Sequence, residues 1–135
     1  MRWLGQARRA HDIATQYARE RETFGKRLGD HQGVGFMLAD NEMDLLSTRL
    51  AVHYCAQVLD LNEKGNYESS LVKVISSENI WKVIDRSLQM LGGQAITDES
   101  LVFKIFKDAR GFRIYDGANE VHRMSISQKL LNSKT

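Results

Sequence analysis

The amino-acid sequence predicts an all-α protein, an up-and-down bundle of four main helices plus a short one. The chain contains no proline in 135 residues, and proline is excluded chiefly from helix interiors and central strands. Apolar residues recur with the helical period, and glycine-containing segments stand where that period breaks. We therefore expect residues 1–135 to form one helical domain.

The breaks in the pattern divide the chain into five helices. The first is rich in Ala, Arg, Gln and Glu, which are good helix formers, and the third stops at a glycine pair typical of a helix C-cap. The predicted helices, in order, span about residues 2–22, 31–64, 68–91, from Thr97–Ser100 to about Gly111, and from beside Asp116 to a fading end at 132–135. Gly25–Asp30 is predicted to be a loop.

The second predicted helix carries two apolar stripes on roughly opposite sides. One stripe contains Val34, Leu38, Leu45, Val52 and Leu59. The other contains Phe36, Met43, Leu50, Tyr54 and Leu61. The third helix repeats this, with Val74, Trp81 and Leu88 on one side and Val72, Val83 and Met90 on another. We expect the second apolar face of these helices to meet another subunit or domain, although for either helix alone a central position in one domain is an equal alternative.

Composition and residue spacing indicate what the chain does not need. The formal charge of +2 requires neither a nucleic-acid nor a membrane partner, and no apolar run approaches the ~18–20 residues of a membrane span. The histidines lack metal-ligand spacing, so no metal is expected. Lone Cys55 permits no internal disulfide, and we expect a cytoplasmic location, or a mitochondrial or peroxisomal one in a eukaryote. Because the sequence starts within a charged helix without a preceding turn, we expect it to be a piece of a larger protein.

Three polar, glycine-containing joints interrupt the helices and are expected to build a site at the helix ends. In the first, Arg21–Gly25, a guanidinium and a hydroxyl can bind an anion and a ring can stack on a flat ligand. In the second, Gln89–Gln94, glycines allow close approach of backbone to a ligand. Helix capping is the alternative for both joints and for His31–Gln32.

The third joint, Arg113–Glu120, contains the most reactive candidate. Asp116 precedes Gly117 just before the last helix. As an N-cap, an aspartate there would have a common structural role. As a general base, its carboxylate would project from a loop into a partly apolar pocket lined by Tyr115 and Ile114. Local chemistry leaves both roles open.

Taken together, the joints resemble segments of the acyl-CoA dehydrogenases, specifically of their C-terminal helical domain. Arg21–Gly25 is similar to that family's Arg-x-x-Phe-Gly segment, with His31–Gln32 at the expected interval. Gln89–Gly93 is similar to its Gln-x-x-Gly-Gly segment, and Ile114–Glu120 resembles the Ile-Tyr-Glu-Gly-Thr segment that carries the catalytic carboxylate. The segments occur in family order over nearly the whole chain.

The resemblance implies an FAD-dependent oxidoreductase that introduces an α,β double bond into an acyl-CoA thioester. Asp116 would remove the α-proton while the β-hydrogen leaves as hydride to the flavin. The implied cofactor-binding residues are Arg21, Thr23, Phe24, His31, Gln32, Gln89, Gly92, Gly93, Gly117 and Glu120; Tyr115 and Gly117 are implied substrate contacts. The first two joints would contact the FAD of a neighbouring subunit in a homodimer or homotetramer, and electrons would leave through an electron-transferring flavoprotein.

Two departures from the family pattern keep alternatives open. Asp116 stands where the family usually has glutamate, which retracts the carboxylate by about 1.5 Å, and Ala118 replaces the usual threonine. Nitroalkane oxidases and a subgroup of acyl-CoA dehydrogenases also use aspartate. A nitroalkane-type flavin oxidase and a non-catalytic helical oligomerisation module are therefore the alternatives. Because the family's other two domains are not in this sequence, we expect the isolated piece to fold without turning over substrate.

Overall fold

The computed structural model describes residues 1–61 and 64–133 and contains five α-helices in that part of the chain. The helices are α1 (Arg2–Glu20), α2 (Gln32–Asp60), α3 (Asn66–Leu91), α4 (Leu101–Ala109) and α5 (Asn119–Asn132). This confirms the predicted all-α class and the number of helices. The second helix, predicted to run to about 64, ends at Asp60, and residue 64 is not helical. Residues 62–63 of that prediction and the fading end at 134–135 lie outside the described residues. None of the helices described is both long and apolar enough to cross a membrane.

The four long helices alternate in direction, and α4 is the short additional one. Hydrogen-bonded pairs join α2 to α3 at Asn41–Ser87 and Cys55–Ser69, and α3 to α5 at Ser77–Asn119 and Ser70–His122. In each set the number rises on one helix as it falls on the other, so both pairs of helices are antiparallel. The short helix packs its Phe106 ring against Trp81 of α3, with 4.6 Å between centroids. The up-and-down topology is therefore confirmed.

Small side chains on α1 form the centre of the core. Ala7, Ala10 and Ala14 are fully buried and recur at spacings of three and four residues, which places them on one helix face. Because alanine is short, the neighbouring helices approach α1 closely, and the larger Leu45, Val83, Ile84 and Val102 fill the space around it. The core therefore lies where α1, α2, α3 and α4 meet.

The two apolar stripes of α2 have different surroundings. On the first stripe Leu45 is buried, and Val34 and Leu38 pack against the core. The second stripe points away from the domain, since its members are 53–72% exposed: Phe36, Met43, Leu50, Tyr54 and Leu61. We call these five residues the α2 outer stripe. Within this chain, nothing described covers them.

For α3, the expectation of an external partner is wrong. Both of its apolar sides are covered within the domain: on the first, Trp81 meets Phe106 of α4, and on the second, Val83 and Met90 are buried. With α1, α2, α4 and α5 packed around it, α3 is the central helix of the bundle. Two apolar faces on a helix thus mean a central position in one case and an open face in the other.

The first helix ends two residues earlier than predicted. Glu22–Thr23 (β1) and Lys26–Arg27 (β2) pair as a short antiparallel ladder, so the joint after α1 is a hairpin and not a helical turn followed by a loop. A 3₁₀ turn at Leu28–Asp30 leads into α2, and similar turns follow α3 at Gly92–Ala95 and α4 at Arg110–Arg113. The predicted start of α4 is confirmed by Ser100, whose Oγ accepts a hydrogen bond from the amide of Phe103.

Candidate functional site

The first joint presents an aromatic ring on a tight hairpin. Phe24 and Gly25 have φ of +50° and +79°, the signs that a two-residue type I′ hairpin loop requires at both positions. This conformation is costly for a bulky residue such as phenylalanine. The Phe24 side chain is nevertheless 98% exposed. A strained, fully exposed ring is typical of a surface that contacts something beyond the domain.

His31 fixes this hairpin. Its Nε2 lies 3.1 Å from the carbonyl oxygen and 3.3 Å from the hydroxyl of Thr23, and its ring meets that of Phe24 edge-on. Although His31 occupies the N-cap position of α2, its side chain forms no cap hydrogen bond. The capping interpretation is therefore wrong for His31. Gln32, the first residue of α2, is exposed beside it.

The first and second joints meet in one cleft. Arg21 and Thr23 line one side of a cleft of about 360 Å³, and Gly92, Gly93 and Gln94 line the other. A Cβ on either glycine would meet nothing within 4 Å, so the backbone there is open to a ligand. Gly92 also ends α3 with a φ of +63°, which confirms the predicted C-cap. Gln89 lies exposed on the last turn of α3 and is not among the residues lining this cleft.

The third joint is a strained turn, and Asp116 does not cap the last helix. The helix N-cap is Ala118, two residues later, without a side-chain cap bond, so the N-cap alternative is wrong. Asp116 itself has a φ of +54° and Gly117 a φ of +88°. Glu120 falls in the first turn of α5, exposed and 3.7 Å from Arg123.

The turn places Asp116 on the edge of an apolar cavity of about 530 Å³. Tyr115 lines the same cavity, as predicted, whereas Ile114, which was also predicted to line it, is 60% exposed and is not part of its wall. The rest of its wall comes from the start of α1, the second half of α2, α3 from Ser69 to Ile80, and Phe112. Polar groups in this wall include Lys73 and Ser76; the Oγ of Ser76 is buried and has no hydrogen-bond partner among the described residues. Asp116 is an exposed residue, so it lies on a loop at the rim of a partly apolar pocket and is not enclosed by it.

A network of charges stands behind the turn. Lys73 donates a 2.8 Å hydrogen bond to Oδ1 of Asn119, which is fully buried. Burial lowers the pKa of Lys73, and the negative charges of Asp116, Glu120 and Glu78 partly oppose that shift. For Glu78, burial acts to raise the pKa. Hydrogen bonds from Asn119 and Arg123 and the charge of Arg113 outweigh it, so the pKa lies below its ordinary value.

Within one chain the three joints form two separate places. Leu4 of α1 lines the cavity at Asp116, whereas Tyr17 of α1 lines the cleft at the glycine pair. At 1.5 Å per residue these two positions are about 20 Å apart along the helix axis. The sequence therefore locates each joint correctly, but only two of the three come together in the same subunit.

Several residues of these sites escape sequence reasoning. Lys73 stands between Val72 and Val74, which belong to the two apolar sides of α3, and Ser76 and His122 have no motif around them. Gln94 could have been found, because it directly follows the glycine pair. Burial of Asn119 carries no sequence signal, since asparagine at a helix start usually faces solvent.

Comparison with known proteins identifies the family of this all-helical domain. The family model described as "Acyl-CoA dehydrogenase, C-terminal domain" matches residues 1–131. The chain belongs to the acyl-CoA dehydrogenase family.

Individual relatives support the same assignment. The chain is 36% identical over 128 residues to the caffeyl-CoA reductase-Etf complex subunit CarC of Acetobacterium woodii, covering 95% of this chain and 34% of that protein. The solved structure of butyryl-CoA dehydrogenase from Megasphaera elsdenii matches with a TM-score of 0.92 at 30% identity, covering 96% of this chain and 34% of that one. PigA, solved as an FAD complex, shares the fold with a TM-score of 0.90 at 24% identity, covering 95% and 33%. The chain thus spans about a third of the length of these relatives.

Proposed function

We propose that this chain is the C-terminal helical domain of an FAD-dependent oxidoreductase that acts between the α and β carbons of an acyl-CoA thioester. Family membership supports the reaction class, and two relatives act by name on CoA thioesters, as caffeyl-CoA reductase and butyryl-CoA dehydrogenase. One observation supports the site: Asp116 is not the N-cap of α5, which is Ala118, and it borders a large apolar cavity.

Asp116 is the general base of this proposal. Its carboxylate would take the proton from the α carbon of an acyl group lying in the cavity, where Tyr115 and Phe112 form apolar wall. FAD, when bound, would accept the hydride from the β carbon. Because aspartate is one methylene shorter than glutamate, the acyl group must approach the turn about 1.5 Å more closely. The left-handed turn at Asp116–Gly117 would set the direction in which the Asp116 carboxylate faces the acyl group.

Replacing Asp116 by asparagine in the whole protein that contains this chain tests the role of the base. Asp116→Asn removes the proton acceptor but keeps the shape, so we expect FAD and acyl-CoA binding to be retained and flavin reduction to slow by a factor on the order of 10³ or more. Stopped-flow absorbance of the flavin, mixed anaerobically with acyl-CoA, measures the rate.

Asp98→Asn is the matched control. The Asp98 carboxylate is 94% exposed and pairs only loosely with Lys107, so its loss should leave the rate unchanged. An Asp116→Asn protein that reduces its flavin at the wild-type rate would show that this carboxylate is not the base, and would favour the module without catalytic function.

The cleft at the first two joints is proposed to hold part of the FAD of a neighbouring subunit. Its residues fit such a ligand: Arg21 and Thr23 offer donors for phosphate oxygens, and Gly92 and Gly93 leave their backbone open. Exposed Phe24 can stack on a flat ring, and His31 lies edge-on to it. Gln32 and Gln89 are proposed as further polar contacts to the cofactor. Gly117 and Glu120 belong to the other end of the cofactor site, beside Asp116.

This division between subunits accounts for the separation within one chain. The cleft and the cavity are about 20 Å apart along α1, and the exposed α2 outer stripe offers apolar surface for an association of copies. We therefore propose a homodimer or homotetramer. The relative CarC is named as part of a complex with Etf, and an electron-transferring flavoprotein is the proposed electron acceptor here.

A further inference from the structure

His122 connects the turn at Asp116 to the central helix. Its Nε2 lies 3.1 Å from the carbonyl oxygen of Asp116, and its Nδ1 lies 3.1 Å from the hydroxyl oxygen of Ser70 on α3. One imidazole ring therefore joins the first turn of α5, the loop that carries the proposed base, and the helix against which both pack.

The partners determine where the ring carries its proton. A carbonyl oxygen can only accept, so Nε2 must be the protonated nitrogen in this contact. In the neutral ring Nδ1 then accepts from the Ser70 hydroxyl, which can donate or accept as needed. The bond to the Asp116 carbonyl is thus present in both charge states of the ring, and no change of protonation is required during a reaction.

The ring also fits the strained backbone of the turn. A Cβ built on Gly117 would stand 2.7 Å from Nε2 of His122, so the imidazole occupies the space that a side chain at position 117 would need. Asp116 has a φ of +54°, a strained conformation that persists where surrounding contacts enforce it. The His122 bond is one such contact, and buried Asn119 anchors the chain three residues after Asp116.

We propose that His122 is a positioning residue: by holding the Asp116 carbonyl against α3 it directs the Asp116 carboxylate into the cavity. The proposal rests on Asp116 being the base. A base displaced by about 1 Å from its productive position can lose roughly 100-fold in rate, so loosening the turn should reduce the rate of the chemical step and leave substrate affinity unchanged.

Two amide substitutions separate positioning from packing. In His122→Gln the terminal amide nitrogen reaches the place of Nε2 and can donate to the Asp116 carbonyl. In His122→Asn the shorter amide reaches only the place of Nδ1, so the contact with Ser70 remains possible and the bond to the turn is lost. We expect His122→Asn to slow flavin reduction by roughly 10- to 100-fold with the acyl-CoA Kd within about twofold, and His122→Gln to restore the rate to within about threefold.

The experiment uses the full-length holoenzyme, with single-turnover flavin reduction and a spectral titration of acyl-CoA. Equal rates for His122→Asn and wild type, equal losses in both amide variants, or a loss confined to Kd would each overturn the proposal. Should His122→Asn not fold, Ser70→Ala, which releases the ring from α3, must slow reduction several-fold; an unchanged rate overturns the proposal. Asp116→Asn is measured alongside to distinguish failure of this proposal from failure of the proposed function. If Asp116→Asn reduces its flavin at the wild-type rate, Asp116 is not the base. If Asp116→Asn is inactive while both His122 variants react at the wild-type rate, only the positioning role of His122 is refuted.

Discussion

At the scale of single residues, two neighbours share a backbone conformation that few side chains tolerate. Asp116 and Gly117 both have positive φ, and Gly117 in addition has no room for a Cβ beside His122. Glycine is needed at 117 for both reasons, whereas Asp116 is held there by its surroundings. The Asp-Gly dipeptide predicted a turn at this place, but the sequence did not reveal that the histidine five residues later lies in the space of the missing side chain.

Gly117→Ala should therefore destabilise the protein by about 1–3 kcal/mol, because it combines the left-handed strain with a displaced imidazole. Gly5→Ala provides the control: Gly5 lies in α1, exposed, with nothing within 4 Å of an added Cβ, and alanine there should stabilise by about 0.5–1 kcal/mol. Urea unfolding followed by circular dichroism measures both. Equal stability of Gly117→Ala and wild type would mean that the turn relaxes freely.

At the scale of elements, a buried histidine joins α1 to α2. The Nδ2 of fully buried Asn41 donates to Nδ1 of His11 at 3.2 Å, and Nε2 of His11 lies 3.1 Å from the Glu42 carboxylate. Asn41 cannot turn its amide around without cost, because its Oδ1 accepts from Arg86. Burial lowers the pKa of His11, opposed in part by the charges of Glu42 and Asp12, while Arg8 adds to the lowering.

This contact predicts acid-sensitive stability. The folded-state pKa of His11 lies below its ordinary value of 6.5, so the unfolded chain takes up the proton first, and the stabilisation present above pH 6.5 is lost as the pH falls through the folded-state pKa. In the protonated ring, Nδ1–H of His11 would face the Nδ2 donor of Asn41, so their hydrogen bond would be lost. This loss would lower the free energy of unfolding by about 1 kcal/mol or more. Unfolding free energies should fall between pH 7.5 and 5.5.

His11→Gln should flatten that dependence, and His53→Gln, at an exposed position of α2, should leave it as in wild type. The carboxyls with lowered pKa, Glu42 and Glu78, titrate below an ordinary value of 4.5 and so do not enter this range. If the unfolding free energy of His11→Gln falls with pH as steeply as that of wild type, another group causes the acid sensitivity.

Helix positions and the C-cap of α3 followed from sequence, since periodicity and glycine act locally. Two local features did not. The ladder after α1 contains only two residues in each strand, which is too few for an alternation of apolar and polar residues to be recognised in the sequence. The start of α5 was predicted beside Asp116, with capping by Asp116 as one of two open roles, but the N-cap is Ala118 because Asn119 is drawn into a buried network with Lys73 and Ser77. Tertiary contacts decided that boundary.

At the scale of the whole molecule, the α2 outer stripe is apolar surface that the domain itself does not cover. Its pattern was visible in the sequence, although the same pattern on α3 is covered by the other helices of the domain. Only the packing of the other helices distinguishes a central helix from an open one. The division of the candidate site was equally hidden, because no local pattern states which joints share a cleft.

Leu50→Glu places a charge at the middle of the stripe, at a side chain that is 60% exposed. We expect it to weaken association between copies by roughly 10- to 100-fold while the monomer stays folded, since apolar contacts at the centre of an interface carry most of its energy. Leu101→Glu, a change of the same chemistry at an exposed leucine of α4, should not alter the oligomer. Sedimentation velocity reports both, and an unchanged mass for Leu50→Glu would place the interface elsewhere.

The distance of about 20 Å between the cleft and the cavity has a consequence for mixed assemblies. If Arg21 serves the cofactor of one copy while Asp116 serves the acyl group of the other, each working centre is a composite of two polypeptides. Co-expressing Asp116→Asn with Arg21→Ala, each inactive alone, would then produce heterodimers in which one centre has lost both groups and its twin has kept both. With random pairing, half of the dimers are mixed and each has one working centre of two, so co-expression should give about a quarter of the wild-type activity; none should appear if each polypeptide works by itself.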